Sequence, residues 1–148
     1  MPANHRPTVV HQSGAAQIDA LRANYAAAGV EAELTPFIDD TASAFAAADI
    51  IVCRAGASTV TEIAAVGAAS ILVPFPSAVD DHQTTNAQFL VNAGGGWLVQ
   101  QRDLTPQGLS EMLLKLERST LVDVALKAKN MQKINATREV VTACEELA

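Results

Sequence analysis

Short, wholly apolar runs along the chain alternate with longer stretches whose apolar positions recur every three or four residues. Thr8-Val9-Val10-His11 reads as a strand closed by Gln12-Ser13-Gly14. From Ala16 to Ala28, Ile18, Leu21 and Tyr25 share one helical face and Gly29 follows as a C-cap. Ala32 to Thr35 reads as a second strand. Pro36-Phe37-Ile38-Asp39-Asp40 is then a loop whose last aspartate can cap an alanine-rich helix from Thr41 to Ala48.

Ile50-Ile51-Val52-Cys53 is apolar throughout, the pattern of a strand buried inside a parallel sheet. Arg54-Ala55-Gly56-Ala57 reads as a tight turn, with Ser58 or Thr59 opening a helix that runs to Val66 and stops at Gly67. Ser70 to Val73 is another buried strand, Pro74 to Asp80 a polar loop, and Asp81 to Asn92 a helix. Gly94-Gly95-Gly96 leads into a last strand, Trp97-Leu98-Val99. Only helices follow: one from Thr105-Pro106 to near Glu117, then Leu121 to Met131 and Thr137 to Leu147. Strands separated by helices predict an α/β fold, one domain over 1–148 with a Rossmann-like parallel sheet flanked by helices on both faces. Ligands of such sheets bind beyond the carboxyl ends of the strands. The loops beginning at His11, Pro36, Arg54 and Pro74 are therefore where chemistry is expected.

Charge and cysteine content narrow the partners. A formal net charge of −6 over 148 residues argues against a nucleic-acid clamp or a domain lying on an anionic membrane. Cys53 and Cys144 are far apart, in neither a CxxC pair nor a metal-ligand pattern, and read as a reduced interior thiol and a helical one. No metal and no cofactor is expected. The first seven residues lack the apolar core of a signal peptide, and no apolar run reaches the ~20 residues of a membrane span. A soluble, cytoplasmic domain is expected.

Two segments carry candidate chemistry. In Arg54 to Glu62 a strand runs through a glycine turn straight into a helix, whose first N–H groups and partial positive charge suit a diphosphate. Gly56 and Ala57 are small enough for a ligand to approach the backbone. The pattern is neither GxGxxG nor a P-loop, so by shape alone it is weak. Glu62 has two readings: Thr59-Val60-Thr61-Glu62 fits a capping box in which it closes its own helix, or its carboxylate accepts from both hydroxyls of a ribose. In Pro74 to Asn86, Asp80 or Asp81 can cap a helix, while His82, Gln83 and Asn86 suit sugar hydroxyls. Taken alone, His82 reads as a solvated surface histidine before a catalytic base. Phe37-Ile38 either plugs the core edge or offers an apolar face and backbone groups to a flat base.

Taken together, His11-Gln12-Ser13-Gly14, Pro36 to Asp40, Arg54 to Glu62 and Asp81-His82-Gln83-Thr84-Thr85-Asn86-Ala87 resemble the C-terminal domain of the MurG family. The tail from Ala128-Lys129 through Asn135-Ala136-Thr137 resembles the closing helices of that family. Its members transfer GlcNAc from UDP-GlcNAc to a lipid-linked muramyl-pentapeptide, and have the two-domain GT-B architecture. The resemblance implies that Phe37 and Ile38 lie beside the uracil, the Ile38 backbone reading its edge, and that Glu62 holds the ribose hydroxyls. It implies that Gly56, Ala57, Ser58 and Thr59 lie near the diphosphate and sugar, with His82 and Gln83 on sugar hydroxyls. Arg54 is expected to be structural. Ser77 departs from the histidine of many members.

The resemblance also implies that these 148 residues start after the glycine-rich loop that opens the family's donor domain and do not include its N-terminal domain. That missing half is expected to carry the acceptor groove, the membrane-facing surface and the catalytic base, so this chain is expected to be inactive alone. Three other readings stay open: a separate donor subunit like that of the two-subunit GlcNAc transferase of dolichol-linked oligosaccharide synthesis, a non-catalytic nucleotide-sugar module, and a nicotinamide-binding domain. The absence of GxGxxG after the first strand counts against the last.

Overall fold

The computed structural model describes residues 1–76 and 79–147, the side chain of Val79 excepted. The chain divides into two compact units, Met1–Ala44 and Phe45–Ala148.

In the first unit, β1 (Val10–Gln12) pairs in parallel with β2 (Glu33–Thr35), His11 opposite Leu34. Between them a 3-10 turn, Ala15–Gln17, feeds α1 (Ile18–Ala27). Ile18, Leu21 and Tyr25 are the half-buried positions of α1, as their spacing predicts. Gly29 follows the helix at φ 60°, a left-handed turn that L side chains resist. The Tyr25 hydroxyl lies 3.1 Å from His11 Nδ1, the rings edge to face, so His11 is held against α1.

The helix α2 (Thr41–Ala47) begins in the first unit and ends in the second. Asp40 caps it as expected: its carboxylate accepts from the Ser43 N–H at 2.9 Å and the Ser43 hydroxyl at 2.6 Å. Those two bonds favour the charged form and hold the carboxyl below its ordinary range.

The second unit holds β3 (Ile51–Cys53), β4 (Ser70–Leu72) and β5 (Trp97–Leu98) in one parallel sheet, β4 in the middle. All three residues of β4 are buried, the burial expected of a strand covered on both faces. The five strands thus form two parallel sheets, one in each unit. The strands are shorter than the apolar runs. Thr8, Val9 and Ile50 fall before the ladders, and Val73 and Val99 beyond them, although the N–H groups of both still bond to the neighbouring strand.

Helix α3 (Ala57–Val66) packs against α4 (His82–Val91) and α6 (Arg118–Asn130), while α4 also packs on β5. The core is built from Ile51, Val60, Ile63, Ala64, Leu72, Ala87, Leu90 and Ala128. Burying a residue such as Ile63 or Leu90 is worth about 1.5–3 kcal/mol, and the alanines let helices approach closely. At the end of α3, Gly67 adopts φ 78° and its N–H bonds the Ile63 carbonyl at 2.8 Å. Lys129 reaches over from α6 and donates to the Ala65 carbonyl. Helix α5 (Pro106–Lys115) starts as its sequence dictates, Pro106 in the first turn and the Thr105 hydroxyl accepting from Gly108 N–H at 3.0 Å. The closing helix α7 (Ala136–Glu146) has no buried residue, and Val140 and Val141 on it are exposed. Among the described residues, no helix is long and apolar enough to cross a membrane.

Candidate functional site

At the carboxyl end of β3, Ala55 is fully buried and anchors the turn. Gly56 is then extended, φ −63° and ψ 149°, with its carbonyl accepting the first helical bond from Val60 N–H at 3.0 Å. That makes Gly56 the N-cap, with Ala57 the first helical residue, one or two positions earlier than the sequence suggests. Thr59 therefore sits inside the helix and cannot cap it. The capping-box reading of Glu62 falls with it, because Glu62 is too far along α3 to reach the cap. Glu62 instead stands exposed on the second turn.

No side chain caps Gly56. The N–H groups of Ala57, Ser58 and Thr59 thus have no carbonyl of their own helix to meet, and the positive end of the helix dipole is open there. Ala57 and Ser58 are exposed and Thr59 half-buried. Thr61 turns its hydroxyl back onto the Ala57 carbonyl at 2.8 Å, away from the helix end.

Helix α4 begins next to this turn through two side chains. Asn86 Nδ2 donates to the Ala55 carbonyl at 3.1 Å, and Gln83 Oε1 accepts from Phe75 N–H at 2.9 Å. The half-buried Gln83 keeps its amide donors for another partner. His82, the first residue of α4, is exposed. Asp81 occupies the cap position, as expected, yet its carboxylate binds the Thr84 hydroxyl at 2.7 Å and not the backbone. Asp80 and Asp81 both have positive φ, 53° and 52°, a conformation that costs energy for residues other than glycine. Ser77 lies outside the described residues.

Arg54 is the brace of this region. Its guanidinium donates to the carbonyls of Val73 and Pro74 at 3.3 and 3.2 Å and to Gln101 Oε1 at 2.6 Å, and it lies 5.4 Å from the Phe75 ring centre. Gln100 Nε2 adds a bond to Thr84 Oγ1 at 3.1 Å. The loops after β3, β4 and β5 are thereby tied to one another. Arg54 is thus engaged with three partners within the protein. Asn86 appeared in the sequence only as a sugar-binding candidate, and Gln100 and Gln101 gave no signal, since their partners are distant in the chain. Below the turn, burial alone pushes the Cys53 thiol up to about 11.

In the first unit, Phe37 is 63% exposed and Ile38 half-buried. Phe37 is therefore not a core plug. The Ile38 N–H donates to Gln12 Oε1 at 2.8 Å, and the Thr35 hydroxyl donates to the Phe37 carbonyl at 2.7 Å. The carboxyl ends of β1 and β2 thus fix the loop. The structure gathers Gly56, Ala57, Ser58, Thr59, Glu62 and the start of α4 in the second unit, and holds Phe37 and Ile38 in the first.

Parallel strands flanked by helices, one sheet in each unit, define an α/β protein of Rossmann-like type. Residues 3–145 match the glycosyltransferase family 28 C-terminal domain, and the chain belongs to that family. It is 75% identical over 147 residues to the UDP-N-acetylglucosamine–N-acetylmuramyl-(pentapeptide) pyrophosphoryl-undecaprenol N-acetylglucosamine transferase of Paracidovorax citrulli, covering 99% of this chain and 41% of that protein. The protein of the same name from Cupriavidus necator is 56% identical over 148 residues, 100% of this chain and 42% of that one. Among solved structures, the crystal structure of Acinetobacter baumannii MurG superposes with a TM-score of 0.87 at 42% identity, over 94% of this chain and 43% of that one. The resemblance read from the sequence and the fold class are both borne out. The chain spans about two-fifths of the length of the curated relatives it matches.

Proposed function

We propose that this chain is the donor-binding portion of the glycosyltransferase that moves GlcNAc from UDP-GlcNAc to undecaprenyl-pyrophosphoryl-MurNAc-pentapeptide, inverting the anomeric carbon. The observation that carries this reading is the uncapped start of α3 behind Gly56, in a chain of this family. Open N–H groups at Ala57, Ser58 and Thr59 stabilise the negative charge that builds on UDP as the sugar departs. Glu62, one turn further, accepts from the ribose hydroxyls. Gln83, one face of its amide spent on Phe75, turns its donors to the sugar with His82 beside it. Phe37 and Ile38 receive the uracil.

Inversion also needs a base for the acceptor hydroxyl. No residue of this chain is assigned that role; the base and the lipid-acceptor groove are placed in the remaining part of the relatives' length. The proposed setting is the cytoplasmic face of the inner membrane, reached through that other part.

The test is transfer of labelled GlcNAc from UDP-GlcNAc to a lipid-linked muramyl acceptor, by the chain alone and fused to the N-terminal part of one of its relatives. The expected result is no turnover alone and turnover in the fusion. A folded fusion that binds UDP-GlcNAc and transfers nothing would make the chain a non-catalytic nucleotide-sugar module.

A further inference from the structure

Thr84 stands one residue beyond Gln83 on α4, half-buried, and its hydroxyl is used twice. It donates to Asp81 Oδ1 at 2.7 Å and accepts from Gln100 Nε2 at 3.1 Å. The direction is forced. A carboxylate only accepts, so the single hydroxyl hydrogen goes to Asp81, and the Gln100 group facing Thr84 has to be the amino one.

The two ends of this chain of bonds have different footings. Gln100 follows Val99, whose N–H bonds the Leu72 carbonyl at 3.0 Å, so its backbone continues from the β4–β5 pair. Its neighbour Gln101 receives the Arg54 guanidinium at 2.6 Å. Asp81 is less settled: Asp80 and Asp81 have φ 53° and 52°, the left-handed region that residues with a Cβ resist. The Asp81 side chain makes no cap bond to the backbone of α4. The bond through Thr84 ties this strained entry to the sheet, and His82 and Gln83 lie between the two tied residues, Asp81 and Thr84.

The start of α3 has its own support: Ala55 is buried, and Asn86 Nδ2 donates to its carbonyl at 3.1 Å. Neither Thr84 nor Gln100 takes part in those contacts. Breaking the Thr84 link therefore loosens the first turn of α4 and leaves the helix start behind Gly56 in place. We propose that Asp81, Thr84 and Gln100 form a latch that positions Gln83, with His82 beside it, for the donor sugar. Affinity for UDP-GlcNAc then depends on the latch and affinity for UDP does not. This rests on the proposed reading of Gln83 and His82 as sugar contacts. Thr84 is a positioning residue: its hydrogen is spent on Asp81, and it acts through its neighbours.

The experiment is calorimetric titration of the folded chain with UDP-GlcNAc and with UDP, for the wild type, Thr84→Val, Thr84→Ser, Gln100→Ala and Gln83→Ala. Valine keeps the shape of threonine and removes both bonds; serine keeps the hydroxyl. Thr84→Val and Gln100→Ala should bind UDP-GlcNAc about threefold to tenfold more weakly, the scale of one or two neutral hydrogen bonds. Both should bind UDP as the wild type does, and Thr84→Ser should match the wild type with either ligand. Added to Gln83→Ala, Thr84→Val should cost much less than it does alone, because the residue it positions is gone. Equal losses for UDP and UDP-GlcNAc, a serine no better than valine, or an undiminished cost beside Gln83→Ala would overturn the latch. Weakened UDP-GlcNAc binding in Gln83→Ala with none in Thr84→Val would also overturn it, and leave the sugar reading of Gln83 standing. Unchanged UDP-GlcNAc binding in Gln83→Ala, or a folded wild type that binds neither ligand, would overturn that reading and the latch with it.

Discussion

Gly56 decides what Glu62 can do. With an extended glycine as N-cap, the helix starts at Ala57, and the threonine and glutamate that look like a capping box both fall inside it. Local spacing could not have settled this, because the true cap has no side chain to leave a signature. The partners of Arg54 and Gln83 were hidden for a different reason: Val73, Pro74, Gln101 and Phe75 lie elsewhere in the chain. At the same scale Cys53 makes a measurable prediction. Its thiol is raised by burial from 9.0 to about 11, so the folded state holds the proton more tightly than the unfolded one. The resulting stability is present below pH 9.0 and lost as the pH rises toward about 11. A shift of that size corresponds to about 2–3 kcal/mol. Urea unfolding across that window should show a decline that Cys53→Ala flattens.

Most elements were legible as elements. Parallel strands announce themselves as apolar runs, and every run from Ile50 onward became a strand of the second unit. Their ends were less legible, since hydrophobicity continues past the last ladder bond at Val73 and Val99. Helix ends were clearer where a residue has a specific job, as with Thr105 and Pro106 at α5 and Gly67 at α3. What no periodicity shows is how the loops after β3, β4 and β5 are bound to each other through one guanidinium. Arg54→Lys keeps the charge but loses the planar fork, and cannot serve two carbonyls and Gln101 together. Its expected cost is about 1–2 kcal/mol in urea unfolding, with weaker UDP-GlcNAc binding that follows the loss of loop order. Donor binding abolished with stability intact would instead make Arg54 a direct diphosphate ligand.

For the whole molecule, the sequence conveyed the α/β class and the family through several ordered segments at once, none of them decisive alone. It did not convey that the chain divides at Ala44, with the candidate base loop in one unit and the open helix start in the other. The central claim is that this chain binds a UDP-sugar through α3, with Glu62 on the ribose. The most direct measurement is calorimetric titration of the folded chain with UDP-GlcNAc and UDP-GalNAc, in the wild type and in Glu62→Ala. Glu62 is exposed, so its removal should leave unfolding unchanged. The account predicts tighter binding of UDP-GlcNAc than of UDP-GalNAc, and a loss of about tenfold to a hundredfold in the variant, the scale of a charged acceptor serving two hydroxyls. Equal affinity in the two proteins, or no binding by a folded chain, would contradict it.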